Sequence, residues 1–186
     1  MRFAVALAVA VPLVSVLACS SPGKPAKAEP TVDNQQQIVS RLTNDIWPAV
    51  SAYNLQPTQA SPGAKQFRAI LDPSLQSATA GDAYNALRDA AQKLGQQGQY
   101  DPATQTTHSN DGLAVAHADV QSVQDDAATL NVCYTYDHSW YVNIQNTQHA
   151  PGSSEATVQL VKANNTWYLH SIANDHVVPN CGAVNG

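Results

Sequence analysis

The chain is poor in charge. Asp, Glu, Lys and Arg together make up 12% of its 186 residues, about half the usual share, so its surface is expected to be neutral and polar. Only nine residues are Lys or Arg, against a net charge of −5. Outside Lys24 and Lys27 these cations do not cluster, so the chain lacks the electrostatic footprint that nucleic acid requires, and that class of partner is excluded. Signatures of cofactor and nucleophile chemistry are also missing. Without Gly-x-Gly-x-x-Gly or a P-loop, nucleotide use has no support, and without Gly-x-Ser-x-Gly a serine nucleophile has no elbow. No Cys-x-x-Cys is present, which removes a redox dithiol and a zinc knuckle. The six His (His108, His117, His138, His149, His170 and His176) are scattered, with no His-x-x-x-His pair to seat a metal. Neither a cofactor nor a metal is expected.

What is present begins at the first residue. Arg2 precedes an apolar run from Phe3 to Val16, followed by Leu17-Ala18-Cys19-Ser20. A short positive start, an apolar segment and a small-residue cleavage site make a secretory signal. The run is shorter than the roughly 20 residues that span a bilayer, and Pro12 interrupts it. Leu17-Ala18-Cys19 resembles the lipobox of bacterial lipoproteins. That resemblance implies a signal peptide over 1–18 and a mature N-terminus at Cys19 carrying a lipid anchor, on the outer face of the cell membrane. More than one acyl chain on that Cys makes the anchorage stable, at about 0.8 kcal/mol per buried methylene. An ordinary cleaved signal is the alternative. Residues 19–32, with three Pro, one Gly and two Lys, read as a flexible tether.

One domain of ordinary size remains over 33–186. Ile38, Leu42, Ile46 and Val50 recur at helical spacing behind a cap at Asp33 or Asn34, and Pro48 is expected to kink or end this helix near Trp47. Phe67, Ile70 and Leu71 mark a short helix over 64–71. Tyr84, Leu87, Ala91 and Leu94 give a third, capped by Asp82 and stopped by Gly95. Beyond Pro102 the period changes to two. Leu113, Val115, His117 and Asp119 alternate in a strand running to Val123, which pairs in a hairpin with a strand carrying Ala128, Leu130, Val132, Tyr134 and Tyr136. Trp140 to Ile144 extends it or forms a separate short strand, which His149-Ala150-Pro151-Gly152 ends. A last hairpin turns at Asn164-Asn165, with Trp167 and Leu169 on one face and Tyr168, His170 and Ile172 on the other.

With Cys19 assigned to lipid, Cys133 and Cys181 remain in an exported chain, where disulfides persist. Their pairing closes a loop worth about 4 kcal/mol in the chain-entropy view; two free buried thiols are the alternative. Helices in the first half and antiparallel hairpins in the second predict an α+β domain, with helices packed on one face of a curved sheet. That order, ending in Ala156-Thr-Val-Gln-Leu-Val-Lys, Asn-Asn and Thr166-Trp-Tyr-Leu, resembles the nuclear-transport-factor-2-like fold, and in particular the small exported lipoproteins of mycobacteria and related actinobacteria. A cystatin-like helix-on-sheet domain is the competing architecture.

The resemblance implies a cone whose concave side can hold a ligand. Candidate lining residues are Trp47, Tyr84, His117, Asp119, Tyr134 and Tyr136, and no catalytic set is singled out. Three readings stay open. The first is a membrane-anchored envelope lipoprotein that binds a partner protein or a small apolar ligand without transforming it. The second is a small isomerase, cyclase or dehydratase of the same fold. The third is a prophage-type envelope lipoprotein that blocks superinfection.

Overall fold

The computed structural model describes residues 32–77, 80–96 and 100–182. The leader, Cys19 and most of the tether lie outside the described residues. Among those described, no helix is long and apolar enough to cross a membrane.

The chain first runs as one helical rod in three parts. Helix α1 (Val32–Arg41) passes through a π-helical turn (Leu42–Ile46) into α2 (Trp47–Leu55). Pro48 does not end the rod. Proline removes an N–H and crowds the carbonyl four residues back, and a widened turn relieves both, with the Trp47 N–H reaching the Leu42 carbonyl five residues back. The additional residue in that turn also lets the neighbours Ile46 and Trp47 both face the core.

Helix α3 (Pro62–Ile70) starts at Ser61, whose hydroxyl accepts from the Ala64 N–H at 3.0 Å. A short 3₁₀ turn (Pro73–Gln76) precedes α4 (Gly81–Lys93). Asp82 lies in the first turn of α4 and makes no cap bond, Ala80 being the residue at the cap. Gly95 does stop the helix, at φ +61°, in the left-handed region where glycine has no Cβ penalty.

Five strands, β1 (Tyr100–Asp101), β2 (Thr106–Gln124), β3 (Ala127–Tyr141), β4 (Gln148–Ala163) and β5 (Thr166–Val177), form an open antiparallel meander in chain order. The domain is thus α+β, with helices against one face of a curved sheet. The curvature originates in β2, which carries an extra residue against β3 at three places, since each bulge bends its strand and sharpens the twist. Pairing of β3 with β4 is unbroken from Ala127–Val161 to Trp140–Gln148. The 163–166 hairpin turns through Asn164 and Asn165, both at positive φ, as a tight twisted hairpin demands.

Pro151 does not end β4. It pairs in register with Asp137, and β5 joins β4 only from Ser154 onward, so on its other side β4 is an edge that needs no N–H there. The core lies between the helices and the inner sheet face, where Ile38, Leu42, Trp47, Val50, Phe67, Leu130, Val158, Leu160 and Leu169 are buried. On the outer face, Cys133 is bonded to Cys181, with Cα atoms 5.6 Å apart. The segment after β5 doubles back to reach it, helped by the Val178 N–H donating to the Ser153 carbonyl at 2.9 Å.

Candidate functional site

Two bulges decide which side chains meet. In β2, Ala116 is an extra residue between Val115–Tyr134 and His117–Cys133. It reverses the alternation, so Val115 faces inward while His117 and Asp119 share the outer face with the disulfide. The expected common face of Leu113, Val115, His117 and Asp119 therefore breaks at Ala116. His117 Nε2 contacts Asp119 Oδ2 at 2.9 Å, with both side chains about half exposed, a geometry that contributes little in water.

In β5, Asn174 and Asp175 together oppose the single Ala156. Asn174 sits at φ +55°, a conformation Asn tolerates better than most residues, and the bulge swings Asp175 toward β3. An extra residue at His170 likewise shifts Ile172 onto the inner face with Trp167 and Leu169, correcting the expected alternation of the last strand.

The inner face at this end of the sheet carries a connected polar network. Tyr134 donates to Asp175 Oδ1 at 2.6 Å, and the Gly95 N–H donates to Asp175 Oδ2 at 3.0 Å. Asp175 is exposed as a residue, yet both its carboxylate oxygens point inward and are occupied. Burial pushes the Asp175 carboxyl up, only partly offset by those two donors. Burial, then the bond to Asp175, pushes the Tyr134 hydroxyl far up. Tyr136 is bonded to the Ser154 hydroxyl at 3.1 Å, and burial raises it too. Its ring lies over Gly152 so closely that a methyl there would fall onto it.

Asn110 closes the network on β2. Its amide donates to the Leu94 and Gly95 carbonyls, which fixes its oxygen toward His138 Nδ1, at 2.9 Å. His138 Nε2 meets His108 Nδ1 at 3.0 Å, and His108 Nε2 meets the Thr106 hydroxyl at 3.1 Å. Burial, and then the neighbouring His108, hold His138 below the usual histidine range.

Alternate residues of β3 thus form a row of rings, Tyr134, Tyr136, His138 and Trp140, with successive centroids 5.8, 6.2 and 5.7 Å apart. Exposure rises along it. Tyr134 is 0% exposed and Tyr136 6%, while His138 and Trp140 are partly exposed. Val142, just past the strand, is 67% exposed.

The six candidate lining residues do not converge. Trp47 and Tyr134 pack within the core, their centroids 5.0 Å apart, and Tyr136 continues their row. Trp47 Nε1 has no hydrogen-bond partner among the described residues. Tyr84 lies on α4, beneath the Arg88 guanidinium at 5.5 Å, and His117 and Asp119 are on the far side of the sheet. A cleft of about 140 Å³, lined by Tyr53, Phe67, Arg68, Tyr84 and Arg88, lies between α2, α3 and α4. A groove of about 590 Å³ between α1 and β2, reaching Asp119, is open and lined mostly by polar side chains such as Gln36, Ser40 and Asn44.

Sequence reading missed Asp175, Asn110 and Ser154. Asp175 lies beyond where the last strand was expected to end, and Asn110 lies before the first long strand was expected to begin. It also missed Asp72, whose carboxylate accepts from the Ser74 N–H at 2.8 Å, the Ser74 hydroxyl at 2.7 Å and His170 Nδ1 at 2.7 Å. Burial works to raise the Asp72 carboxyl, but the two Ser74 bonds and His170 outweigh it and hold it below the usual carboxylate range. An Asp-Pro at a helix end was the available signal, since Asp72 caps the turn that follows. Among the described residues no group of three or more His, Cys, Asp or Glu is placed to hold a metal ion.

No family model matches the chain, and no curated protein matches it. Among solved structures, the intermembrane space region of the chloroplast protein ARC6 is similar at 13% identity and a TM-score of 0.39, covering 76% of this chain and 94% of that one. A likeness of that degree supports no functional transfer.

Proposed function

We propose that this chain is a non-catalytic binding protein, held at the outer face of a membrane by a lipidated Cys19, and that it engages an envelope partner protein through the end of the sheet around His138, Trp140 and Val142. The observation that carries this reading is the filled interior. Trp47, Phe67 and Tyr134 occupy the space between helices and inner sheet face, each no more than 2% exposed, so the concave side of the sheet is packed with the protein's own side chains. Recognition is then a surface event. The ring row that emerges from the core supplies rigid aromatic contacts of the kind that anchor interfaces.

Asp175 beside the Tyr134 hydroxyl is the arrangement a small isomerase of such a fold would use. Here both carboxylate oxygens accept bonds from the protein itself, and Tyr134 is out of reach of solvent. The pair acts as a latch between β3, β5 and the end of α4, which disfavours the enzyme reading. A role in excluding superinfecting phage belongs to the same partner-binding class.

The anchor and the contact face are tested separately. Mass spectrometry of the mature N-terminus is expected to find an acylated Cys19, and an unmodified start elsewhere would remove the membrane from the account. Photo-crosslinkers placed at Trp140 and, as a control, at Thr129 on the outer face are compared in intact cells. The reading expects a discrete adduct from position 140 alone, abolished by His138→Ala; equal adducts from both positions contradict it.

A further inference from the structure

We propose that the cleft between α2, α3 and α4 binds a small organic carboxylate, with its anionic head on Arg88 and Tyr53 and a short hydrocarbon tail along Tyr84 and Phe67. This site is separate from the sheet end and does not depend on the partner reading.

The inference starts from misplaced charge. In a chain with nine Lys and Arg and a net charge of −5, Arg68 and Arg88 line one cleft of about 140 Å³. Neither has a carboxylate within ion-pair distance among the described residues. Both are held by neutral acceptors instead. Arg88 Nε donates to the Tyr53 hydroxyl oxygen at 3.0 Å, while Arg68 donates from Nε to the Ala64 carbonyl at 3.3 Å and from Nη2 to the Gln59 carbonyl at 2.6 Å. The Arg88 terminal amino groups have no hydrogen-bond partner among the described residues. Its guanidinium is nonetheless oriented, pinned at Nε by Tyr53 and packed over the Tyr84 ring.

Proton accounting at Tyr53 adds a second donor. Its oxygen accepts from Arg88 Nε and from Gln92 Nε2, each at 3.0 Å. Both lone pairs are thereby used, and the hydroxyl's own proton, which has no acceptor among the described residues, is left to give. The cleft therefore presents a fixed planar cation and a hydroxyl donor without an internal acceptor to satisfy them. A guanidinium of this kind matches a carboxylate, which accepts two parallel N–H bonds in one plane.

The remaining wall selects the tail. Tyr53 stacks on Phe67 with centroids 4.3 Å apart, and Pro57, Ala64 and Tyr84 complete an apolar side. At about 30 Å³ per water, the volume equals roughly four or five waters, which suits an acid of a few carbons.

The test is an NMR titration of the full chain with sodium butyrate, following the Arg Nε–H and backbone amide signals, with sodium chloride and sodium phosphate at matched ionic strength. The expected result is saturable shifts at Arg88 and Tyr53 with butyrate alone. Arg88→Gln should abolish them and Arg88→Lys should not restore them, because an ammonium lacks the planar fork. Should Arg88→Gln fail to fold, the exposed Arg68→Gln replaces it and is expected to weaken binding several-fold. Saturation by phosphate without butyrate would overturn the carboxylate assignment. Unsaturable shifts, or parent-like titration of the arginine variants, would overturn the site.

Discussion

The sheet end and the helical cleft contain similar groups in opposite states. Around Tyr134, the polar atoms other than Trp47 Nε1 are matched within the protein: Asp175 takes Tyr134 and Gly95, Asn110 takes two carbonyls and His138, and Tyr136 takes Ser154. Around Tyr53, two arginines have no carboxylate in ion-pair contact among the described residues, Asp89 acting on Arg88 only through space. A matched buried network holds elements together, since losing one partner costs about 1–3 kcal/mol of desolvation. An unmatched set of oriented donors at an opening is suited to something that arrives from outside. Tyrosines and charged residues near one another are thus no guide to function until their protons are counted.

The strongest way to break the matched side is to release its outer tie. Replacing Cys133 and Cys181 by Ala is expected to lower the urea unfolding free energy by about 4 kcal/mol, as a loop of this length implies, and to leave butyrate binding in the cleft unchanged. Next is Gly152→Ala, whose added methyl must displace the Tyr136 ring; overpacking of this kind costs about 1–3 kcal/mol and is measurable by the same unfolding curve. Tyr134→Phe removes a donor from the inward-pointing Asp175 carboxylate and is expected to cost about 1–2 kcal/mol, again without effect at the cleft.

Acid sharpens the contrast within the matched groups. Asp72 has a folded pKa below its unfolded value, so its contribution is fully present above the unfolded value, near pH 4, and is lost as pH falls through the lower folded one. Asp175 has the opposite sign. Its raised folded pKa means that the native state takes up a proton first, and stability from this group increases as pH falls from neutrality toward 4. Unfolding midpoints across pH should show the acid-side loss diminished in Asp72→Asn and the preceding gain diminished in Asp175→Asn. The smallest effect belongs to the exposed pair on the outer face, where His117→Gln should change stability by less than about 0.5 kcal/mol.

How far these features were legible follows from where period and register agree. Ile38, Leu42, Ile46 and Val50 announce the buried stripe of the first helices because a helical period needs only local spacing. The Asn164-Asn165 turn is readable because its chemistry is local as well. Cys133 and Cys181 were paired by counting once Cys19 had been set aside. What was not legible depends on bulges. One extra residue at Ala116 carries His117 and Asp119 to the opposite face, and another in β5 brings Asp175 back to Tyr134; alternation along one strand contains no record of how many residues its neighbour spends. The cleft was hidden for a different reason. Local spacing along α4 contains no record of what Arg88 meets, and only the three-dimensional meeting of α2, α3 and α4 places it on Tyr53.

A single titration tests the contrast most directly. With butyrate added to the full chain, the account predicts saturable shifts of Arg88 and Tyr53 while the signals of Tyr134, Asn110 and Asp175 stay in place. Saturable shifts of the Tyr134, Asn110 and Asp175 signals, with Arg88 and Tyr53 unmoved, would contradict it and make the inner network the site.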